Sequence, residues 1–256
     1  MKNLIKKLKE FDEERRNALR TPEKWDDEAV AKCFVPIAKY VLLNGYFLVN
    51  DKYIIDLGAI ELYYHEEDGN IKDHIMYHTN EHPSKSKVYK LNNGFPYFKI
   101  GSFNLHQSGI DVTFENDTNC KDKYRASFLI RSYRVIKKDN IDELKSDRIP
   151  FDHCSTHIFD DMFYEGISFD GTIGCSIQWI NYEKGGGIKQ VPRINVAEYK
   201  GKDEAGKIIF EKVEASKDDY CQNKEHYFKY GTKYYKKDMR EWQFIRTINT
   251  SKANKV

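Results

Sequence analysis

The chain has 256 residues with 42 basic and 40 acidic side chains, a net charge of only +2, 40% apolar residues and 14% aromatics. The aromatic content and near-zero charge exclude an intrinsically disordered chain. The balance, with a pI near 8.1, permits nucleic-acid binding without the strong basicity of a DNA-coating protein. Five cysteines, Cys33, Cys120, Cys154, Cys175 and Cys221, are odd in number and never form a C-x-x-C pair. That pattern fits reduced thiols in a cytosol-like, intracellular compartment and offers no zinc-ribbon spacing. No stretch reads as a signal peptide or a membrane span.

Residues 2–19 read as a charged helix in which Leu4, Leu8, Phe11 and Leu19 make one narrow apolar stripe. Thr21-Pro22-Glu23 has the form of a helix start, with Trp25, Ala29 and Cys33 on one face. A third short helix is expected after Pro36, ending at Asn44-Gly45. The pattern then changes to β-branched and aromatic residues at 46–49 and 53–64, joined by a hairpin-like Asn50-Asp51 turn. Residues 65–94 read as a long polar loop. Strands are expected at 95–100, 110–114 and 126–135, and a short helix from Ser155-Thr156 through Met162. Residues 172–180 fit a strand or a helix, the Gly185-Gly186-Gly187 run a loop, and 208–213 and 242–248 late strands. Residues 229–237, KYGTKYYKK, fit a basic aromatic surface or a solvated hairpin, and 251–256 a frayed tail.

Three places stand out chemically. In the strand containing Ile60-Glu61-Leu62-Tyr63-Tyr64, alternation puts Glu61 and Tyr63 on one face and Ile60, Leu62 and Tyr64 on the other. A lone Glu on such a strand ordinarily faces solvent; enclosed, its pKa would rise and suit a general base. Asp73-His74 follows, with His78 and His82 at four-residue intervals. A helix would align these three histidines for a metal, but Pro83 and the polar loop favour exposed loop histidines. Arg131 interrupts the apolar Phe128-Leu129-Ile130-Arg131-Ser132 strand. It is either a strand-end Arg beside a surface acid, or a planar fork that holds a phosphate or a carboxylate. Residues 95–115 interleave aromatics with Lys, His and Asn, a pattern of base stacking or simply of core. Asp152-His153-Cys154 with His157 is a weaker Cys/His candidate, and the glycine run lacks the spacing of a phosphate-binding loop.

In order, Ile60-Glu61-Leu62-Tyr63, His74, Phe95-Pro96-Tyr97-Phe98 with Ser108-Gly109, and Leu129-Ile130-Arg131-Ser132 resemble four short motifs of the alkyladenine (methylpurine) DNA glycosylases. The resemblance covers residues 37–136. It implies an α+β fold: a curved, mostly antiparallel sheet with N-terminal helices packed on it, like a formyltransferase C-terminal domain. Residues 1–44 would be the helices and 45–250 the body of a single domain. It further implies excision of an alkylated or deaminated purine from double-stranded DNA, with no metal or nucleotide cofactor and no obligate protein partner, inside the cell. By position, Glu61 would activate water with Arg131 in support. Tyr63 and His74 would hold the flipped base, and Tyr97 or Phe98 would close the pocket. The family's wedge tyrosine is replaced by Ser108, with His106 nearby. Its guanine-rejecting asparagine has no clear counterpart; Asp111, Thr113 and Glu115 lie in that neighbourhood. A nucleic-acid or nucleobase binding module without activity is the alternative on the same fold.

Overall fold

The computed structural model describes residues 2–20, 25–79, 87–91, 94–117, 123–153, 157–168, 170, 173–204, 208–213 and 217–248. Thr21-Pro22-Glu23, His82, Pro83, Cys120, Cys154, Ser155-Thr156 and 251–256 therefore lie outside the described residues.

Helix α1 (Lys2–Ala18) buries Leu4, Leu8 and Phe11, the stripe read from its spacing. Arg15, not Leu19, completes the stripe: its guanidinium donates to Tyr64 Oη at 2.5 Å and reaches Glu66 at 3.5 Å. Helix α2 (Asp27–Leu43) is capped by the Asp26 carboxylate, which accepts the Ala29 N–H at 2.8 Å. The two helices expected on either side of Pro36 are one. An internal proline removes one backbone donor, and burial of eight side chains, Phe34, Ile37 and Val41 among them, outweighs it.

The main sheet is antiparallel and curled into a half-barrel. Strand β1 (Gly45–Val49) turns into β2 (Tyr53–Glu66) through Asn50 and Asp51, both with positive φ (50° and 57°), as a tight hairpin turn requires. A short helix α3 (Lys87–Leu91) precedes the hairpin of β3 (Phe103–His106) and β4 (Gly109–Thr113). Strand β5 (Tyr124–Lys137) pairs with β2 along its whole length. After a 3-10 segment (Lys138–Lys145) come β6 (Asp152–His153), α4 (His157–Met162), β7 (Ile177–Asn181) and β8 (Gly187–Val191). Strand β9 (Tyr199–Lys202) pairs with β10 (Ile208–Phe210); β11 (Lys212–Val213), helix α5 (Lys217–Gln222), β12 (Tyr227–Tyr230) and β13 (Lys233–Lys236) follow, and β14 (Gln243–Thr247) is the last strand among the described residues. The sheet order is β3-β4-β5-β2-β1-β7; β14 joins the second half of β2, with β8 beyond it. Helices and antiparallel sheet are segregated, so the class is α+β.

One face of the sheet packs α1 and α2 through Ile60, Leu62, Tyr64, Val112, Phe128 and Ile130. The alternation read from the sequence is thus realised, and Glu61 and Tyr63 occupy the opposite face. That face is covered by the chain after β8, so Glu61 is 1% exposed and not solvent-facing as a lone strand Glu ordinarily is. Residues 95–100 form no strand. Their backbone is engaged by side chains instead: Arg125 donates to the Phe95 and Pro96 carbonyls at 2.9 Å, and Glu115 accepts the Phe98 N–H at 2.8 Å. Residues 67–79 are the expected loop, while β2 runs two residues past Tyr64. Residues 177–181 resolve the strand-or-helix ambiguity as β7, and Gly187 starts β8 where a loop was expected. Residues 229–237 fall on the β12–β13 hairpin.

Candidate functional site

The pairing of β2 with β5 is irregular at one place. Leu57 faces Tyr133, Ala59 faces Ser132 and Ile60 faces Ile130, leaving Gly58 and Arg131 as extra residues of two adjoining bulges. Bulges re-aim side chains. Here the inward set of β2 shifts from Ile55 and Leu57 to Ile60, Leu62 and Tyr64, and Glu61 follows onto the far face. A Cβ on Gly58 would lie 2.5 Å from the Phe151 ring and 2.8 Å from Ser132 Oγ, so no larger residue fits without displacement.

Glu61 sits in a cleft of about 520 Å³ lined by Tyr63, Tyr77, Arg131, Phe228, Tyr230 and Tyr235, among others. Its carboxylate is held on three sides. The Tyr63 hydroxyl donates to Oε1. The Ile194 N–H donates to Oε2 at 3.3 Å, and Arg131 Nε lies 3.7 Å from the same oxygen. Burial raises the Glu61 pKa above the ordinary carboxylate value, against the opposing pull of Arg131, Arg193, Tyr63 and the Ile194 amide. A carboxylate so placed accepts a proton near neutral pH more readily than an exposed one. Burial, and next the Glu61 charge, push the Tyr63 phenol well above its usual value, so it stays a donor.

Arg193 supports this arrangement and escapes sequence reasoning. Its guanidinium is fully enclosed between the Tyr63 and Trp242 rings, with its carbon 5.0 and 5.1 Å from the ring centroids. It donates to Asp73 at 2.5 and 3.3 Å and to Asp238 at 2.8 Å. Arg193 is the residue before Ile194, so this clamp fixes the amide that binds Glu61. Arg240 donates to Asp238 as well and also lies against Trp242, 4.3 Å from its ring centroid. Arg193 and Arg240 together hold Asp238 well below the usual carboxylate range, against burial. Burial lowers the pKa of Arg193 too, but Asp73 and Asp238 outweigh it and the net shift is upward. The only sequence signal was an Arg inside the apolar stretch Val191–Val196.

The other candidates divide. Ser108 lines the same cleft, and its hydroxyl is 3.2 Å from that of Tyr77. His106 stacks on the Tyr77 ring at 4.1 Å and contacts Asp111 at 3.2 Å, so both stand behind the Tyr77 wall. Asp111 is buried in register with Leu129 and hence with Glu61. His74 does not reach Glu61's cleft: it stacks on Tyr199 at 3.5 Å in a second cavity with Lys72 and Arg240. Tyr97 and Phe98 line a third cavity against α1, where Arg125 lies 4.1 Å from the Tyr97 ring centroid. His78, expected to be exposed, is buried against Glu115. Among the described residues no three His, Cys, Asp or Glu are grouped to hold a metal ion, and no helix is long and apolar enough to cross a membrane. Asp152, His153 and His157 are exposed.

Comparison with family models, curated proteins and solved structures finds no match for this chain.

Proposed function

We propose that the chain is a DNA glycosylase-like hydrolase that removes a damaged purine, alkylated or deaminated, from duplex DNA, with Glu61 as general base. The observation that carries this reading is the buried Glu61 carboxylate beside Arg131 in the wall of an aromatic cleft. In this mechanism a water held by Glu61 attacks C1′ of the extruded nucleotide. Its proton passes to Glu61, and the C1′–N bond breaks with its electron pair going to the base. A base made cationic by alkylation leaves as a neutral molecule, and aromatic faces attract it while it is charged; a neutral deaminated base leaves as its anion and takes up a proton from water. A cleft of about 520 Å³ is within the ordinary range for a small-molecule ligand. Extrusion is least costly for a damaged or mispaired base, which itself supplies selectivity. The curled antiparallel sheet with two helices on one face is of the α+β class that the resemblance implies.

The test is chromatographic detection of free base after incubation with alkylated or deaminated duplexes in the absence of added metal. Release supports the reading. Binding of the same duplexes without release favours a nucleic-acid binding module.

A further inference from the structure

Strand β3 is the outermost strand on its side of the main sheet. Its hairpin with β4 closes at the His106–Gly109 pair, across a turn of Gln107 and Ser108. Antiparallel partners alternate between hydrogen-bonded and non-bonded pairs. The Thr113 N–H donates to the Ser102 carbonyl at 3.0 Å, so Ser102, Asn104 and His106 turn their backbone groups toward β4. Phe103 and Leu105 turn theirs the other way, to an edge that no described strand covers. Sheet edges are commonly blunted by lysine or proline, and Phe103-Asn104-Leu105-His106 contains neither.

The Leu105 side chain lies beside this edge in a hollow of about 530 Å³ that it shares with Phe159, Phe163, Tyr164 and Ile167. Leu105 is 45% exposed and Ile167 53%, and Ile173, bridged to Ile167, is exposed as well. Leu105 pairs with Ile110 of the helix-packed face, so the hollow opens on the side of the sheet opposite to Glu61. The segment that forms its far wall carries charge of one sign. Residues 149–183 hold six acids, Asp152, Asp160, Asp161, Glu165, Asp170 and Glu183, and no Lys or Arg, in a chain whose net charge is +2. Asp160 lines the hollow, and Glu165, between Tyr164 and Gly166 of its wall, is exposed. The basic residues that bound this stretch are engaged elsewhere: Arg148 lies 3.4 Å from Glu143, and Lys184 is buried on Asp56.

An exposed apolar patch with a polar rim is characteristic of a surface that another molecule covers. A free strand edge takes an extended peptide as a further strand, with alternate side chains entering neighbouring pockets. We propose that β3 and this hollow dock an extended segment of a partner protein, with apolar residues at alternate positions entering the hollow and Lys or Arg flanking them. The acidic wall selects among occupants. It repels the phosphates of a nucleic acid, and in a two-fold dimer a second copy would bring the same acids against it. The docking surface is independent of the chemistry at Glu61.

The test titrates the full chain into two fluorescent peptides, Lys-Lys-Val-Thr-Val-Thr-Val-Lys-Lys and the same peptide with Glu in place of every Lys. The basic peptide should bind about tenfold tighter or more, and exchange of the Phe103 and Leu105 amides, the two that point outward, should slow on binding. Leu105→Ser and Ile167→Ser replace exposed side chains, so the melting temperature should stay close to that of the native chain. Each should weaken the basic peptide on the order of tenfold, the loss of one apolar anchor. Equal binding of the two peptides, full affinity in both variants, or no binding of either peptide overturns the proposal. Dimerisation of the native chain that Leu105→Ser abolishes overturns it in favour of a second copy, and weaker duplex binding by that variant overturns it in favour of a nucleic acid.

Discussion

Arg131 faces Glu61 because it is the extra residue of a bulge. Its Nε lies 3.7 Å from Glu61 Oε2, and the matching extra residue on β2, Gly58, gives the local distortion room. The pair is a product of backbone irregularity at two neighbouring positions, and variants at either one report on it.

Arg131→Ala removes the cation nearest to Glu61. The base-release rate should fall on the order of 10²-fold, the effect of deleting one electrostatic group from an active site. The Glu61 pKa, already raised by burial, should rise further. The acidic limb of the pH–rate profile should therefore move to higher pH, because the base must be ionised to act. Arg131→Lys should restore part of both. Profiles that coincide for the three proteins would exclude Arg131 as Glu61's partner.

Gly58→Ala forces a Cβ against the Phe151 ring at 2.5 Å. Overpacking of this kind costs about 1–3 kcal/mol, and the lower melting temperature is the readout. The ring cannot move freely, since Arg134 lies over it at 4.5 Å. A melting temperature equal to that of the native chain would show that the bulge has slack.

Asp56 is a carboxylate set among three buried cations. It accepts from Arg134 at 2.9 Å, Lys184 at 2.7 Å and Arg246 at 3.0 Å. Arg134 also donates to the carbonyls of Glu143, Ser146 and Ile149, tying the 3-10 segment to the sheet. Asp56→Asn leaves these charges without that counterion and should cost about 3–5 kcal/mol in denaturant unfolding. A loss under about 1 kcal/mol, the size of an exposed pair, would mean the cluster is hydrated.

Lys184 gives this cluster a pH signature. Burial, aided by repulsion from Arg246 and Arg134 and opposed by Asp56, lowers its pKa from 10.5 to about 8. Between those values the folded chain binds fewer protons than the unfolded one, so this residue makes stability rise with pH through that window. Below pH 8 the penalty is present in full. Tyrosines titrate nearby, so the informative quantity is the difference in unfolding free energy between the native chain and Lys184→Met. That difference should shift in favour of the native chain as pH rises from about 8 to about 10.5; a difference independent of pH would contradict the buried charge.

Much of this was legible locally. The alternation around Glu61, the Asn50-Asp51 turn and the stripe of α1 depend on near neighbours, and each is present. What covers a strand face is not a local property. Glu61 is enclosed by Ile194 and by Arg193, 132 residues beyond it in the chain (193 − 61), and no window on β2 contains that information. For the same reason residues 95–100 look like a strand. Their composition suits one, but Arg125 and Glu115 take the backbone groups that a ladder would use. Pro36 marked a boundary by local rules, and tertiary burial overrode it. His74, Tyr97 and Phe98 follow Glu61 in motif order but line other cavities, because order along the chain does not fix which wall a side chain joins.

The most direct measurement compares the native chain with Glu61→Gln for both base release and duplex binding. The substituted amide nearly matches the native shape and still accepts from Tyr63 or Ile194, but it takes no proton from water. Loss of release with retained, salt-dependent binding is the expected result. Unchanged release by Glu61→Gln would show that the chemistry lies elsewhere, and absence of binding by both proteins would remove duplex DNA as the substrate.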